Sequence, residues 1–226
     1  MNDIELNRKC LNKNQTTLRN FLTSSTIQTY LVEMLLDQHA SLHSAKISDK
    51  NCWSFEDAIL NDIDETIFRR IASNCEHSIA WCIWHLARIE DITMNILVSG
   101  DNQIFVEENW HERLRIKTGH SGNGMLPEDI KALSDRIDLE GLKEYRSAVG
   151  RKTQAIIKRL DLEKYKEKVL ISRIHKVIEE GAVIESASGV IDYWSKRTIA
   201  GLFLMPATRH NIVHLNEALQ LKKRSK

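Results

Sequence analysis

The chain has 226 residues, enough for one large domain with a substantial buried core. Nine glycines and two prolines make up about 5 % of it. Average usage gives roughly 12 %, so this scarcity disfavours turn-rich β-sandwiches and barrels and favours long helices. The 32 basic and 31 acidic residues leave a net charge of +1, which excludes a global field that would attract nucleic acid or an acidic membrane.

The sequence has no run of 18 uncharged apolar residues, and the polar segment MNDIELNRKC lacks the apolar centre of a signal peptide. We therefore expect a cytoplasmic protein with no membrane or nucleic-acid partner. Four cysteines are too few for a disulfide scaffold, and none forms a C-x-x-C pair. We expect Cys75 and Cys82 to be buried thiols, and their spacing excludes zinc held by thiolates.

The first half of the chain predicts two long helices. Residues 1–15 are polar and are expected to form a loose lead-in. A long amphipathic helix is predicted over 18–46, because its apolar residues recur at spacings of three, four and seven. Those apolar residues are Ile27, Leu31, Met34, Leu35 and Leu42. Ser54 is the predicted N-cap of a short helix through Ile59. A second long helix is predicted over 74–98, ending at Gly100.

The second half predicts two further long helices separated by irregular stretches. Residues 100–127 contain four of the nine glycines and are expected to be mainly connection, with a short helical turn in NWHERLRI. Pro127 is expected to open a helix, and the third long helix is predicted over 139–160. Short helical pieces follow over 161–190. The fourth long helix is predicted over 193–222, kinked at Pro206 because proline lacks a backbone N–H.

Four long amphipathic segments joined by long crossovers predict an all-α fold, a four-helix bundle with long crossover connections. No repeat or linker divides the sequence. We therefore expect a single domain over 1–226 that ends in a basic tail at 223–226.

Three groups of histidines have a spacing or placement that suits metal ligands. His210 and His214 stand four residues apart in the last predicted helix, so both imidazoles can reach one ion. His39 and His43 have the same spacing in the first helix, and His85 lies on the apolar face of the second. Spacing does not choose between the two pairs, and a lone buried histidine is more often a hydrogen-bonded core residue. Three neutral imidazoles from two helices would form an open site suited to Zn²⁺ or Ni²⁺.

The other polar and aromatic residues of interest have ordinary interpretations. We expect the remaining histidines at the surface: His77, His111, His120 and His175. Three charged residues are expected on a polar helix face: Arg88, Glu90 and Asp91. Three tryptophans on apolar stripes are expected in the core, with pocket lining as the alternative: Trp81, Trp84 and Trp110.

Two segments together suggest a family. The second predicted helix contains WCIWHLARIED at 81–91, and the last contains PATRHNIVHLNEA at 206–218. One histidine in the middle of a helix followed by a late H-x-x-x-H in a four-helix chain resembles the DinB-like metalloproteins, a superfamily that includes thiol-dependent S-transferases. The resemblance extends over most of the chain through helix order and loop placement.

The resemblance implies a bundle that holds divalent nickel or zinc through His85, His210 and His214. It also implies a homodimer and, in some members, transfer of a small thiol to an electrophile or isomerisation of a maleyl compound. His39 and His43 depart from the usual triad. The stretches 100–127 and 161–190 are longer than the minimal family core, so the substrate is not carried over.

Two functions of different classes follow from this reading. The first is a metal-dependent transferase in which an open metal position favours a thiolate over a thiol. Residues that would orient ligands or move protons there are His43, Glu90, Asp91 and Glu217. The second is a helical module that binds a metal without catalysis. A metal-free helical scaffold with core histidines is a third interpretation.

Overall fold

The structure is a computed structural model that describes residues 3–23, 30–50, 52–73, 75–159 and 161–224. Its described residues form an all-α fold. The helices are α1 (Asp3–Thr23), α2 (Leu31–Ala40), α3 (Phe55–Leu60), α4 (Glu65–Arg69), α5 (Ile79–Asp91), α6 (Ile104–Glu107), α7 (Trp110–Arg113), α8 (Pro127–Arg136), α9 (Leu139–Arg159), α10 (Ile171–Glu179), α11 (Ser188–Ser195), α12 (Ile199–Leu204) and α13 (His210–Lys223).

The central element is α5, in which every residue is buried. The hydroxyl of Ser78 caps it by accepting from the Trp81 N–H. A wider π-helical segment, Ile92–Ser99, continues it to Gly100, whose φ of 82° ends the helix in the left-handed region. The predicted end at Gly100 is therefore confirmed. The predicted start near residue 74 is wrong, because residues 75–78 are not helical and the helix begins at Ile79 behind its cap, Ser78; residue 74 itself lies outside the described residues. Because α5 packs against both α9 and α13, its side chains meet the last helix in the interior.

The last long helix has three parts. It begins at Ile199, six residues later than predicted, because α11 ends at Ser195 and Thr198 caps a new helix through the Gly201 N–H. A π-helical turn, Met205–Arg209, joins α12 to α13. The predicted interruption at Pro206 is confirmed in this form.

The N-terminal expectations are wrong. Residues 1–15 are not a loose lead-in, because α1 begins at Asp3 and buries Leu11. Leu18 and Leu22, seven and eleven residues further on, are buried on the same helix and give it one apolar stripe. The predicted long helix over 18–46 is divided between α1 and α2, and its residue Ile27 lies outside the described residues.

The connections follow the sequence signals closely. Ser54 caps α3 by accepting from the Asp57 N–H, and Pro127 occupies the first turn of α8. The stretch 100–126 contains only the short helices α6 and α7, and α8 begins at Pro127. The third long helix, α9, ends at Arg159, and the predicted end at residue 160 is outside the described residues. No helix within the described part of the chain is both long and apolar enough to span a membrane.

Candidate metal centre

The fold brings His85 of α5 together with His210 and His214 of α13. Their ring centroids lie 5.0 Å (His85–His210), 5.0 Å (His85–His214) and 4.6 Å (His210–His214) apart. One nitrogen from each ring lies within 4.8 Å of the others. The three histidines singled out from the sequence therefore form one cluster with the spacing that a single metal ion needs.

Hydrogen bonds orient two of these rings. The Nδ1 atom of His85 lies 2.6 Å from the carbonyl oxygen of Ser121, and the Nδ1 atom of His214 lies 2.7 Å from Oε2 of Glu217. Because both partners only accept, each Nδ1 carries the proton and donates, which leaves each Nε2 with a lone pair. Metal-binding histidines typically hold their second nitrogen in this way. The Nδ1 atom of His210 is buried and has no hydrogen-bond partner among the described residues.

Burial keeps two of the three imidazoles neutral. Burial, with the neighbouring rings of His210 and His214, holds the pKa of His85 well below its ordinary value. Burial, with His214 and Arg146, lowers the pKa of His210 from 6.5 to about 3. A neutral imidazole is the form that binds a metal ion. His85 and His210 are therefore already in the ligating protonation state at neutral pH.

Glu217 stands behind the cluster as an anion. Burial alone would raise its pKa, but hydrogen bonds from His214 and His77 outweigh burial and hold the pKa well below its ordinary value. The Nδ1 atom of His77 lies 2.8 Å from Oε1 of Glu217, so one carboxylate orients two histidines. His77 is therefore only partly exposed and is not the surface residue that we expected from its charged surroundings.

A cleft of about 820 Å³ opens onto the cluster. His77 stacks on Trp81 at 3.7 Å between ring centroids, and Trp81 stacks on His85 at 4.5 Å. The indole N–H of Trp81 faces the sulfur of Met125 at 3.4 Å. Further lining comes from Ile71 after α4, from Gly122 in the loop before α8, and from Pro127 and Ile130 of α8. The polar residues Glu76, Asn123 and Lys131 also line the cleft. A small molecule in this cleft would contact the rings of His77 and Trp81 and the nitrogens of His85, His210 and His214.

A second buried cluster lies beside the first. Nε2 of His39 is 2.8 Å from Oε1 of Glu90, and Nε2 of His43 is 3.0 Å from Oε2 of the same carboxylate. All three side chains are fully buried. The expectation that Glu90 is a solvent-exposed charge is wrong, because two histidines and the amide of Asn211 surround its carboxylate. The two H-x-x-x-H pairs thus serve different clusters.

A third group overlaps the candidate metal centre. Cys82, His214 and Glu217 have potential ligand atoms within 4.8 Å of one another. Cys82 is buried, and burial raises the pKa of its thiol well above its ordinary value, so it stays protonated. The expected burial of Cys82 is confirmed, whereas Cys75 is half-buried at the cleft. The hydrogen bond between His214 and Glu217 accounts for this proximity without an ion.

Two further charges expected at the surface are fully buried. Arg88 donates to Asp91 (3.1 Å), to the hydroxyl of Tyr145 (2.8 Å) and to the carbonyl of Gly119 (2.5 Å). Burial raises the pKa of Asp91, although Arg88 opposes this effect. Asp91 also accepts the backbone N–H groups that begin α6. Arg88 and Asp91 therefore anchor the 100–127 stretch to α5, and no spacing in the sequence reveals a buried pair of this kind.

The other expectations on aromatic and histidine residues are confirmed in part. All three tryptophans are buried core residues as expected, and Trp81 also lines the cleft. His111 and His175 are exposed as expected, but His120 is half-buried and faces Trp84.

Comparison with protein-family models and comparison with curated proteins each found no match. The resemblance to the DinB-like metalloproteins thus stays a prediction from the two histidine motifs.

Proposed function

We propose that His85, His210 and His214 bind one divalent metal ion, with zinc and nickel the metals that suit three imidazoles. The observation that carries this proposal is the convergence of three histidines on one cleft, two of which, His85 and His210, are held neutral by burial. Acceptors fix the Nδ1–H tautomer of His85 and His214.

The surroundings support a reactive centre over a purely structural one. Structural zinc sites are closed by four protein ligands, whereas catalytic sites use three and keep one position open. Here three imidazoles face a cleft, and the nearby thiol of Cys82 stays protonated. The non-catalytic metal-binding module expected as the alternative would instead need a closed ligand set.

We extend the proposal to the family and its chemistry. The histidine placement supports membership of the DinB-like four-helix-bundle metalloproteins, with a homodimer in the cytoplasm as the expected state. A bound divalent ion supplies Lewis acidity, which lowers the pKa of a thiol or water beside it. The proposed reaction is transfer of a small thiol to an electrophile.

The side chains of the cleft have separate tasks in this reaction. Trp81 and Met125 form a wall that holds the carbon part of the electrophile and excludes water. His77, whose Nδ1–H is held by Glu217, has its Nε2 available to take the proton of the incoming thiol. With an activated aryl halide, the carbon–sulfur bond forms as the carbon–halogen bond breaks. The halide leaves with its electron pair, and the thiol proton passes to His77.

The experiment has two parts that separate binding from catalysis. The first is comparison of His210→Ala and His214→Ala with the control His175→Ala, an exposed histidine on α10. Loss of metal with an unchanged cooperative unfolding transition supports a functional site, whereas unfolding supports a structural ion. The second part measures thiol consumption with glutathione and cysteine against an activated aryl halide. A rate no higher than that of the metal-free protein with every thiol refutes the transferase.

A further inference from the structure

The last helix makes a wide turn immediately before the candidate ligands of α13. The His210 N–H donates to the Met205 carbonyl, five residues back, where a regular α-helix reaches back four. Pro206 has no N–H, and in a regular helix its ring collides with the carbonyl four residues earlier. The proline explains why the helix widens here.

The wide turn decides which residues face α5. It holds one residue more than a regular turn, so every later side chain is rotated relative to α12. In an uninterrupted helix, Arg209 and Val213 would take the directions that His210 and His214 now have. Both are exposed in the structure. The candidate metal centre therefore depends on the wide turn being kept.

Side-chain donors bond carbonyl groups at the wide turn. The hydroxyl of Thr208 donates to the Phe203 carbonyl at 2.8 Å and lies 3.1 Å from the Leu204 carbonyl. Gln15 of α1 donates to the Leu204 carbonyl at 2.9 Å. A buried carbonyl without a donor is costly, so these bonds favour the wide turn over its alternatives.

Asn211 bonds two further carbonyls of the wide turn and links the turn to α5. Its Nδ2 lies 3.1 Å from the Pro206 carbonyl, 3.2 Å from the Ala207 carbonyl and 3.1 Å from Oε2 of Glu90. Its Oδ1 accepts from Arg146 at 2.6 Å. Asn211 is fully buried. Of its two amide hydrogens, one bonds the Glu90 carboxylate and the other is shared between the two carbonyls.

The cluster of His39, His43 and Glu90 holds the other end of this link. Each histidine bonds a different carboxylate oxygen, at 2.8 and 3.0 Å, which are hydrogen-bond lengths. Neither Nδ1 has a partner within the described chain, although both are buried. If Nε2 bound a metal, the proton of each neutral ring would sit on Nδ1, and this buried N–H would have no acceptor. If Nε2–H donates to Glu90, Nδ1 carries only a lone pair, which costs less to leave unpaired. The contacts therefore favour a hydrogen-bonded carboxylate over a second metal site.

We propose that Glu90 is a positioning residue of the candidate metal centre, acting through Asn211 to hold the wide turn so that His210 and His214 face His85. This inference rests on the proposed function for the role of the three histidines as ligands. The carboxylate needs to accept the Asn211 N–H, and its charge is not required for that bond. Glutamine at this position keeps an acceptor, whereas leucine does not.

The test measures Co²⁺ binding by chelator competition, with the visible absorption spectrum of bound Co²⁺ as a second readout. Glu90→Leu and Asn211→Leu are expected to weaken binding by about 10–100-fold and to change the spectrum. Glu90→Gln is expected to keep most of the affinity and the wild-type spectrum. The control is His175→Leu on α10, an exposed residue outside this network, and it is expected to change neither the affinity nor the spectrum. His39→Leu tests instead whether the second cluster binds metal, and it is expected to leave the number of bound Co²⁺ unchanged.

Three results would overturn the proposal. Equal losses in Glu90→Gln and Glu90→Leu would show that the charge acts, not the hydrogen bond. A fall from two bound Co²⁺ to one in His39→Leu would make the second cluster a metal site. Unchanged binding in Asn211→Leu would remove the link itself. If Glu90→Leu does not fold, Asn211→Leu and Glu90→Gln still decide the matter.

A metal-free measurement separates this proposal from the proposed function. In the protein treated with chelator, the side-chain nitrogen resonances of His210 and His214 are expected to shift in Asn211→Leu, while those of His175 stay unchanged. If the wild-type protein binds no Co²⁺, the proposed function fails, but these resonances still show whether Asn211 positions the rings. Unshifted resonances would contradict the positioning role.

Discussion

Nδ1 of His85 donates a 2.6 Å hydrogen bond to the carbonyl oxygen of Ser121. This bond joins the central helix to the 100–127 stretch. The N–H of Ser121 in turn donates to the carbonyl of Ala182 at 2.8 Å. Both long connections thus meet at one backbone segment beside the candidate metal centre, where they fix the orientation of a proposed ligand.

Gly122, next to Ser121, makes this arrangement testable. Its φ of +88° disfavours any other residue, and an added Cβ would lie 2.6 Å from Cζ3 of Trp84 and 3.1 Å from Nδ1 of His85. Trp84 is fully buried and has no room to move. We expect Gly122→Ala to displace the Ser121 carbonyl and to weaken metal affinity by about 10–100-fold, measured by chelator competition.

The matched control is Gly189→Ala, because an added Cβ there meets nothing within 4 Å. This variant should bind metal as the wild-type protein does. Equal affinities in both glycine variants would show that the loop does not orient His85.

The buried hydrogen bonds around Arg88 predict that removing the hydroxyl of Tyr145 lowers the stability of the protein more than removing that of Tyr165. The hydroxyl of Tyr145 donates to Asp91 at 2.7 Å and accepts from Arg88. Tyr145→Phe leaves both charged partners one bond short and should lower the free energy of unfolding by about 1–3 kcal/mol. The buried hydroxyl of Tyr165 has no partner within the part of the chain described, so Tyr165→Phe should change stability little. Urea unfolding measures both, and equal losses would count against the network.

The sequence predicts the helical content and the cluster of three histidines well. Scarcity of glycine and proline suffices for the helical content, and periodicity decides which helix face is buried. Spacing does not choose between the pairs His39/His43 and His210/His214, and the set of three follows from the resemblance carried by the two motifs. The role of Glu90 was not predictable. In the sequence, a carboxylate among apolar residues is expected to be an exposed charge. In the structure it is buried, because hydrogen bonds from His39 and His43 offset the cost of removing it from water. Those partners are about fifty residues away in the chain, and no local pattern connects them.

Metal-free protein should lose stability as pH falls from 7.5 to 5.5. The pKa values of His43 and His210 are lowered from 6.5 to about 3, in both cases mainly by burial. Below pH 6.5 the unfolded chain binds protons that the folded chain does not, so stability is complete above 6.5 and falls towards 3. Each group contributes a slope of up to about 1.4 kcal/mol per pH unit.

Urea unfolding at several pH values checks this slope. The exposed His175 supplies the control, since His175→Gln should leave the pH dependence unchanged. Equal stability of the wild-type protein at pH 7.5 and 5.5 would mean that the buried histidines are not held neutral.

His77 tests the proposed proton transfer separately from metal binding. His77→Gln removes the proton acceptor at the cleft, while Glu217 keeps its bond to Nδ1 of His214. We expect the thiol-transfer rate to fall by about 100-fold or more with unchanged metal content. A variant that transfers thiol at the wild-type rate would show that the proton leaves by another route.

The most direct test of the candidate metal centre is the metal content of protein purified without a polyhistidine tag, determined by elemental analysis. We predict about one divalent ion per chain in the wild-type protein and in His39→Leu, and none in the double variant His210→Ala/His214→Ala. Folded wild-type protein that holds no divalent ion, and takes up neither zinc nor nickel when either is supplied, would contradict the assignment of these three histidines.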